Sequence, residues 1–537
     1  MIKEYVLPKK ILKFENAEDV EILLVRNTQM ASFDCDTPCK IAPKGYVLLD
    51  FGEELNGGIR IICQDMQGKK NAKLRVRFGE SAMECMADLG YKNATNDHSV
   101  RDEVLFAPWV GILEYGNTGF RFVRVDNLDD VTISVQQMDA AYSHSGKKIL
   151  GNFKCNDALL NKIWNVGTRT IYLNNNDLIT DGIKRDRLVW IGDMHPESIA
   201  VQRLFGYDHS IVNSLDYIKK FTLKGKWMNG IASYSMWWIK ILRDLYYYSG
   251  DKDYLKNQVQ YIREVIEMLL KIITENGYVD VDFKFIDWPS SIDASAQNNG
   301  LNALATLALN SAMEIFEMFG LTEEKETVQQ GLLRLNKYVP EKTNNKQIEA
   351  LRVFAEIEAA ENANKQILSV KPYSGLSTFL GYYVLIARAK ANDMLGSLNV
   401  IRNYYGAMLA LGATTFWEDF DLQWAQNAKP IDSILDKDEY DIHGDRGAYC
   451  YEGYRHSLCH GWSAGVVPFL SEYVLGVKFV SAGCKKIIIS PDLGDLEWAE
   501  GEVPTPNGIL KVSVHKTNTG ISIRHNELKG VQIITQA

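Results

Sequence analysis

The spacing of apolar residues changes twice along this chain, and that change constrains the fold more than any other feature. Up to about residue 150 the period is two. Leu74, Val76 and Phe78 alternate with Lys73, Arg75 and Arg77, which predicts a half-buried strand. Tyr46–Phe51, Ile59–Ile62, Phe120–Val125 and Val131–Val135 read the same way, and glycine and Asn/Asp clusters separate them, as a β-sandwich requires. Nothing in this part groups catalytic residue types. After Gly151 the period becomes helical. Leu159, Leu160, Ile163 and Trp164 follow Asn156-Asp157, a capping signal. Leu255, Val259, Ile262, Ile266, Leu269 and Ile273 predict a helix that Asn276-Gly277 ends. Further helices are predicted at 233–249, 301–319, 323–339, 347–361, 376–392 and 398–411, about a dozen in all between 155 and 475 at this spacing. From about 476 the period returns to two: Lys486–Ile489 is one strand, and Leu510, Val512 and Val514 mark another. A chain of 537 residues exceeds one ordinary core. Three units are expected: a β-sandwich at 1–150, an all-α domain at 151–475 and a small β-sandwich domain at 476–537. Helical hairpins of this kind stack into a solenoid or close into a toroid, and spacing alone does not choose.

A net charge of −9 with no basic stripe excludes nucleic acid as an expected partner and disfavours anionic polysaccharide. No apolar run approaches membrane-spanning length, and MIKEYVLPKKILKF lacks the apolar core of a signal peptide. No membrane association and a cytoplasmic location are therefore expected, with the oligomeric state open, a homodimer included. Eight scattered cysteines complete no zinc spacing and are expected to be mostly reduced and buried. The 26 Tyr, 20 Phe and 11 Trp mildly favour a sugar binder, because the C–H face of a sugar ring packs on aromatic faces. An aromatic-rich helical core would account for them equally.

The chemistry concentrates at Asp181–Asp193, DGIKRDRLVWIGD. Its three carboxylates, two arginines and one indole segregate to no face at either period, so it is a loop. Residues alone leave it balanced between a solvated charged loop and a functional one. The pattern D-x-x-x-R-D-R-x-x-W-x-G-D resembles the signature loop of the bacterial α-L-rhamnosidases, glycoside hydrolase family 78. That resemblance implies an (α/α)6 barrel flanked by β-domains, no cofactor or metal, a carbohydrate substrate, and an inverting reaction in which an acid protonates the leaving oxygen and a base activates water. Such a pair sits roughly 6.5–9.5 Å apart, and a retaining pair at about 5 Å.

The resemblance supplies roles residue by residue. In LGATTFWEDF, residues 411–420, the match to G-A-T-T-x-W-E makes Glu418 the base; without it, Glu418 reads as a surface acid beside a buried Trp. The family's acid, usually Glu, falls on Asp186, seven residues before Asp193, and one residue is missing relative to the commonest loop. Asp is one methylene shorter, and Arg185 and Arg187 favour its charged form, the reverse of what a general acid needs; Asp193 or Glu197 could take its place. Asp181, Arg185, Trp190 and Asp193 match sugar-holding positions. Trp238, chosen from the pair Trp237-Trp238, and Trp288 match two aromatic sites. In RHSLCHGWSAG, 455–465, His460 matches a sugar-contacting His, although Cys459 and Gly461-Trp462 depart from S-L-N-H-Y-A-Y-G. His456, Cys459 and His460 form no complete metal set. Residues 428–454 are an insertion expected to wall the leaving-group side. Two other readings stay open: a uronyl hydrolase or lyase on the same toroid, and a sugar-binding protein that has lost the acid.

Overall fold

A computed structural model describes every residue except Asn27 and Ala537. Seven strands, β1 (Ile2–Val6), β2 (Lys10–Glu18), β3 (Cys39–Asp65), β4 (Asn71–Gly79), β5 (Asp102–Pro108), β6 (Gly111–Asn127) and β7 (Ile133–His144), form one hydrogen-bonded sheet in the order β1-β7-β3-β6-β4-β5, with β2 also on β3. β3 runs far longer than its apolar runs suggest because irregularities between Asp50 and Leu55 let it bend while keeping β6 as a partner. Leu74, Val76 and Phe78 point into the core that the alternation predicts, beside Val47, Leu49, Phe120 and Val125.

Apart from a short helix at Ala82–Met86, the helices follow a short strand at Asn152–Cys155. Asp157 caps Ala158–Asn174 by accepting from the amides of Leu159 and Leu160, and Asp293 caps Ala294–Met318 through Ala296. Met194–Phe205 packs on Ala232–Ser249, which packs on Ala294–Met318, which packs on Lys346–Phe354, then Gly381–Lys390, then Val466–Phe469, which returns to Met194–Phe205. His209–Phe221, Lys252–Ile272, Thr322–Leu335 and Met394–Val400 intervene in sequence. The predicted helix over 347–361 is broken after Phe354, where Glu356 adopts φ 61°. Over 376–392 the helix starts only at Gly381; the preceding residues turn instead, and Ser377 Oγ accepts from the amide of Leu380. No helix among the described residues is long and apolar enough to cross a membrane.

The last strands make two sheets: 477–479, 486–489 and 532–535 in one, and Trp498–Thr505, Gly508–Thr517 and Gly520–His525 in the other. Asn152–Cys155 completes the second sheet by pairing with residues 499–502. All eight cysteines are free, and six are buried; Cys35 and Cys450 are half-buried.

Arg121 on β6 joins the N-terminal sheet to the helical part. It donates to both oxygens of Asp50 at 2.8 and 2.9 Å and to the carbonyl of Gly412 at 3.0 Å, just before the Glu418 loop. Asp50 is fully buried. Arg121→Met is therefore expected to lower stability by about 3–5 kcal/mol, because it strands a buried carboxylate; chemical denaturation would measure it.

Candidate active site

The loop from Asp181 to Asp193 is closed by its own ends. The Asp181 amide donates to Leu188 O at 3.1 Å, and Leu188 N donates back to Asp181 Oδ1 at 2.8 Å. Asp186 and Arg187 adopt φ 51° and 58°, the left-handed region, so the chain reverses tightly there. Trp190 Nε1 donates to Asp186 Oδ2 at 3.0 Å. The N-terminal sheet props this loop from outside: Gly119 N donates to Ile183 O at 2.8 Å, Ser99 Oγ to Lys184 O at 3.0 Å, and Arg187 to Asn117 O at 2.6 Å.

Glu418 arrives from a second connection, held against 457–460. Its amide donates to Ser457 O at 2.9 Å, His460 N donates to Phe416 O at 2.9 Å, and Thr415 Oγ1 donates to Leu458 O at 2.7 Å. The two connections meet where Arg185 pairs with Glu418 Oε1 and where Gly461 N donates to Asp181 O at 2.7 Å. His460 Nε2 lies 3.7 Å from Asp181 and 3.9 Å from Glu418.

Together they line a small cavity of about 110 Å³, walled by Trp190, Tyr234, Phe283, Phe285, Trp288 and Trp462 with Ile231 and Cys450. A larger cavity of about 230 Å³ lies among Arg203, Lys240, Arg243 and Glu472. It holds neither signature loop, so the smaller one is the candidate site.

The structure brings Asp181, Arg185, Asp186, Trp190, Asp193, Trp288, Glu418 and His460 to this cavity. Trp238 is not there. It is fully buried in the helical core, its indole donates to Leu215 O at 3.3 Å, and its ring meets Tyr261 edge-on. Trp237 stacks on His195. The residue of that helix that reaches the cavity is Tyr234, one turn nearer the loop end, whose hydroxyl donates to Asp193 Oδ1 at 3.1 Å. Glu197 is buried behind the cavity wall rather than in it; a Cβ on Gly461 would meet its carboxylate.

Sequence reasoning also missed Trp462, whose indole donates to Glu418 O at 2.8 Å and whose ring lies tilted against His460 with 4.2 Å between centroids. Its position within the RHSLCHGWSAG segment was the available signal. Phe283 and Phe285 sit five and three residues before Trp288, an aromatic cluster visible in FKFIDW. Cys450 comes from the 428–454 insertion, and Tyr449 stacks on Trp288, so the insertion does reach the site. The loop between β4 and β5 also comes near: His98 Nε2 lies 3.3 Å from Asp186 Oδ1.

Burial sets the protonation pattern. It pushes the carboxyls of Asp181 and Asp193 well above the usual range, with neighbouring acids adding to the effect. Burial also raises Glu418, but Arg185 opposes the rise. His460 is held well below the ordinary imidazole value by burial and by Arg185, so it is neutral. The cavity thus holds two carboxyls whose neutral form burial favours, able to donate and accept, beside a third in which a guanidinium opposes the same rise. Outside the cavity, Glu80, Glu84 and His443 have the chemistry of a metal set, but Lys184 Nζ already lies 3.1 and 3.0 Å from the two carboxylates. His456 accepts from the Asp419 amide at 3.0 Å and Cys459 from Asn174 at 3.6 Å, so neither is arranged as a ligand.

Residues 148–339 match the model of the bacterial alpha-L-rhamnosidase 6 hairpin glycosidase domain. The chain is 24% identical to an alpha-L-rhamnosidase of Alteromonas sp. (strain LOR), over 93% of this chain and 56% of that protein. Its fold resembles the family 78 rhamnosidase of Bacillus sp. GL1 (TM-score 0.75, 20% identity, 96% of this chain and 55% of that one). It also resembles a Klebsiella oxytoca rhamnosidase solved with rhamnose bound (TM-score 0.69, 17% identity, 87% and 95%). The loop at 181–193 therefore lies within the matched residues and the 411–420 loop beyond them, and the fold is similar to that of family 78 rhamnosidases. The chain spans little more than half the length of the curated relative it matches.

Gly192 is where the loop presses on the helix carrying Tyr234. A Cβ there would lie 2.1 Å from the tyrosine ring. Gly192→Ala is expected to cost about 1–3 kcal/mol by overpacking, seen as a lower melting temperature.

Proposed function

We propose that this chain is an inverting glycoside hydrolase that releases terminal α-L-rhamnose, or a closely related sugar, from glycosides or oligosaccharides. The observation that carries the proposal is the convergence of Glu418 and the Asp181–Asp186–Asp193 carboxyls, from separate connections, on one aromatic-walled cavity. In this reading Asp186 protonates the glycosidic oxygen, Glu418 takes a proton from water as it adds to the anomeric carbon, and no cofactor takes part. Neutral Asp181 and Asp193, with Arg185 and His460, hold the sugar hydroxyls, and Trp190 and Trp288 pack on its apolar face. The closed circuit of packed helices supports an (α/α)6 barrel as the scaffold. The domain division proposed is 1–150, 151–475 and 476–537, with Asn152–Cys155 lending a strand to the C-terminal sheet. A sugar acid as substrate is disfavoured, because Arg185 is already committed to Glu418 and Arg187 to Asn117.

Hydrolysis of 4-nitrophenyl α-L-rhamnoside, with the product anomer followed by NMR, tests the proposal. The β-anomer is expected first, and Glu418→Gln should lower kcat by about 10²-fold or more. Retention, or an unaffected variant, would sink the assignment.

The ion pair makes a second prediction. A base must be ionised, so the acidic limb of the pH–rate profile follows Glu418. Burial raises this group and Arg185 lowers it, so Arg185→Met should move that limb to higher pH by about 1 unit or more. A limb that stays in place or moves down would contradict the pairing.

A further inference from the structure

The larger cavity, of about 230 Å³, lies at the far end of helices that also reach the candidate active site. Asp193 and Tyr234 face the small cavity from the starts of Met194–Phe205 and Ala232–Ser249, whereas Arg203, Arg243 and Tyr247 line the large one from their C-terminal turns. At 1.5 Å per residue, Tyr234 and Tyr247 stand roughly 20 Å apart along one helix. The strand at 477–479 borders this end with Lys478 and Phe479. Four cations line the cavity, Arg203, Lys240, Arg243 and Lys478, against two carboxylates, Asp244 and Glu472. Asp244 is fully engaged: Oδ1 accepts from Arg243 at 3.1 Å, and Oδ2 meets Lys240 and, at 3.1 Å, His195. Burial lowers His195 to about 4, so it adds no charge. Glu314 behind Arg243, at 2.8 Å, offsets one more cation and still leaves a positive excess. Lys478 is exposed and makes no ion pair among the described residues. Arg203 is the informative member. Its side chain is only 4% exposed, its Nη2 donates to Glu472 at 2.6 Å, and its guanidinium carbon lies 3.9 Å from the centre of the Phe479 ring. Among the described residues its Nε and Nη1 have no hydrogen-bond partner. A buried guanidinium with two donors unpaired within the protein calls for an acceptor from outside it.

We propose that this cavity is a second binding site, separate from the active-site candidate, and that it takes the phosphate group of a small phosphorylated sugar. The cations come from three elements, the helices 194–205 and 232–249 and the strand 477–479. A dianion with three acceptor oxygens can serve a guanidinium and two ammonium groups together, where a carboxylate is matched by a single arginine, as Glu472 already is by Arg203. Phe354, Tyr473 and Phe479 share the lining and offer rings on which the C–H face of a sugar packs. The volume is about twice that of the small cavity and exceeds what a bare phosphate fills. The small cavity is the wrong place for such a ligand. It gathers four carboxyl groups, Asp181, Asp186, Asp193 and Glu418, and its Arg185 is already paired with Glu418. A phosphate bound at the large cavity would tie the strand 477–479 to both helices, so occupancy should stabilise the chain as a whole.

Isothermal titration calorimetry of the full chain tests this, with glucose 6-phosphate, glucose 1-phosphate, glucose and inorganic phosphate as probes. At least one of the two esters is expected to bind at one site per chain, about tenfold or more tighter than glucose or inorganic phosphate, and to raise the melting temperature. Lys478→Gln removes an exposed charge that no ion pair of the described residues uses, so the fold should be unaffected while binding of that ester weakens about threefold or more. Arg203→Met should weaken it about tenfold or more. Saturable binding that neither variant weakens would place the ligand elsewhere. Inorganic phosphate binding as tightly as the esters would remove the sugar from the assignment. No saturable binding of any probe up to about 10 mM would mean that the cavity takes solvent alone. Each of these three results overturns the proposal. No arm of the test reads turnover, so its outcome is independent of whether rhamnosides are hydrolysed.

Discussion

One buried ammonium holds the site together. Lys184 is almost fully buried and donates to His456 O at 2.7 Å while pairing with Glu80 and Glu84 from the N-terminal region. Glu84 is shared with Arg101, and Glu80 accepts from the Leu458 amide at 2.6 Å. His443, from the insertion, lies 3.4 Å away. The signature loop, the N-terminal region, the insertion and the 456–458 segment therefore meet at a single charge. A buried ion network of this kind is poor evidence for extra stability, since desolvation offsets much of the attraction, but removing one member leaves the others uncompensated. Its effect is on register: with Lys184 fixed, the next residue, Arg185, can only point toward Glu418.

Much of this was legible in the sequence, for a physical reason. The period of apolar residues is set by which face meets the core, so Leu74, Val76 and Phe78 declared a strand and the Leu255–Ile273 series declared a helix. The signature residues of 181–193 and 411–418 lie on connections, where side chains are chosen for chemistry rather than packing, and these converged. What failed was choosing among aromatics on one helix. Trp238 and Tyr234 are one turn apart on the same side, and periodicity cannot tell which end of a helix opens on a cavity. The break at Glu356 was hidden because a glutamate carries no signal for a left-handed backbone. His98, Lys184 with Glu80, and Tyr449 over Trp288 were unreadable because each contact joins distant stretches of chain, and local pattern carries no information about them.

The cavity also separates roles by environment rather than by residue type. Asp181, Asp193 and Glu418 are all buried carboxyls, and of the three Glu418 alone makes an ion pair with a guanidinium. Burial favours the neutral form of the first two, suited to exchanging hydrogen bonds with hydroxyls, while the arginine opposes the same rise at the third. His460, neutral and packed against the Trp462 ring, can sit between them without adding a charge.

The strand at Asn152–Cys155 has a consequence for how this chain is made. It is the entry to the helices, and its partner strand lies far along: Asn152 and Glu502 are 350 residues apart. On the ribosome the N-terminal sheet and most of the helices emerge while that edge is still unpaired, and the closing helix at Val466–Phe469 comes late as well. The step that seals the sheet therefore waits for the strand at Trp498–Thr505. A long-lived open form, with a bare strand edge waiting for its mate, is the natural state of the nascent chain.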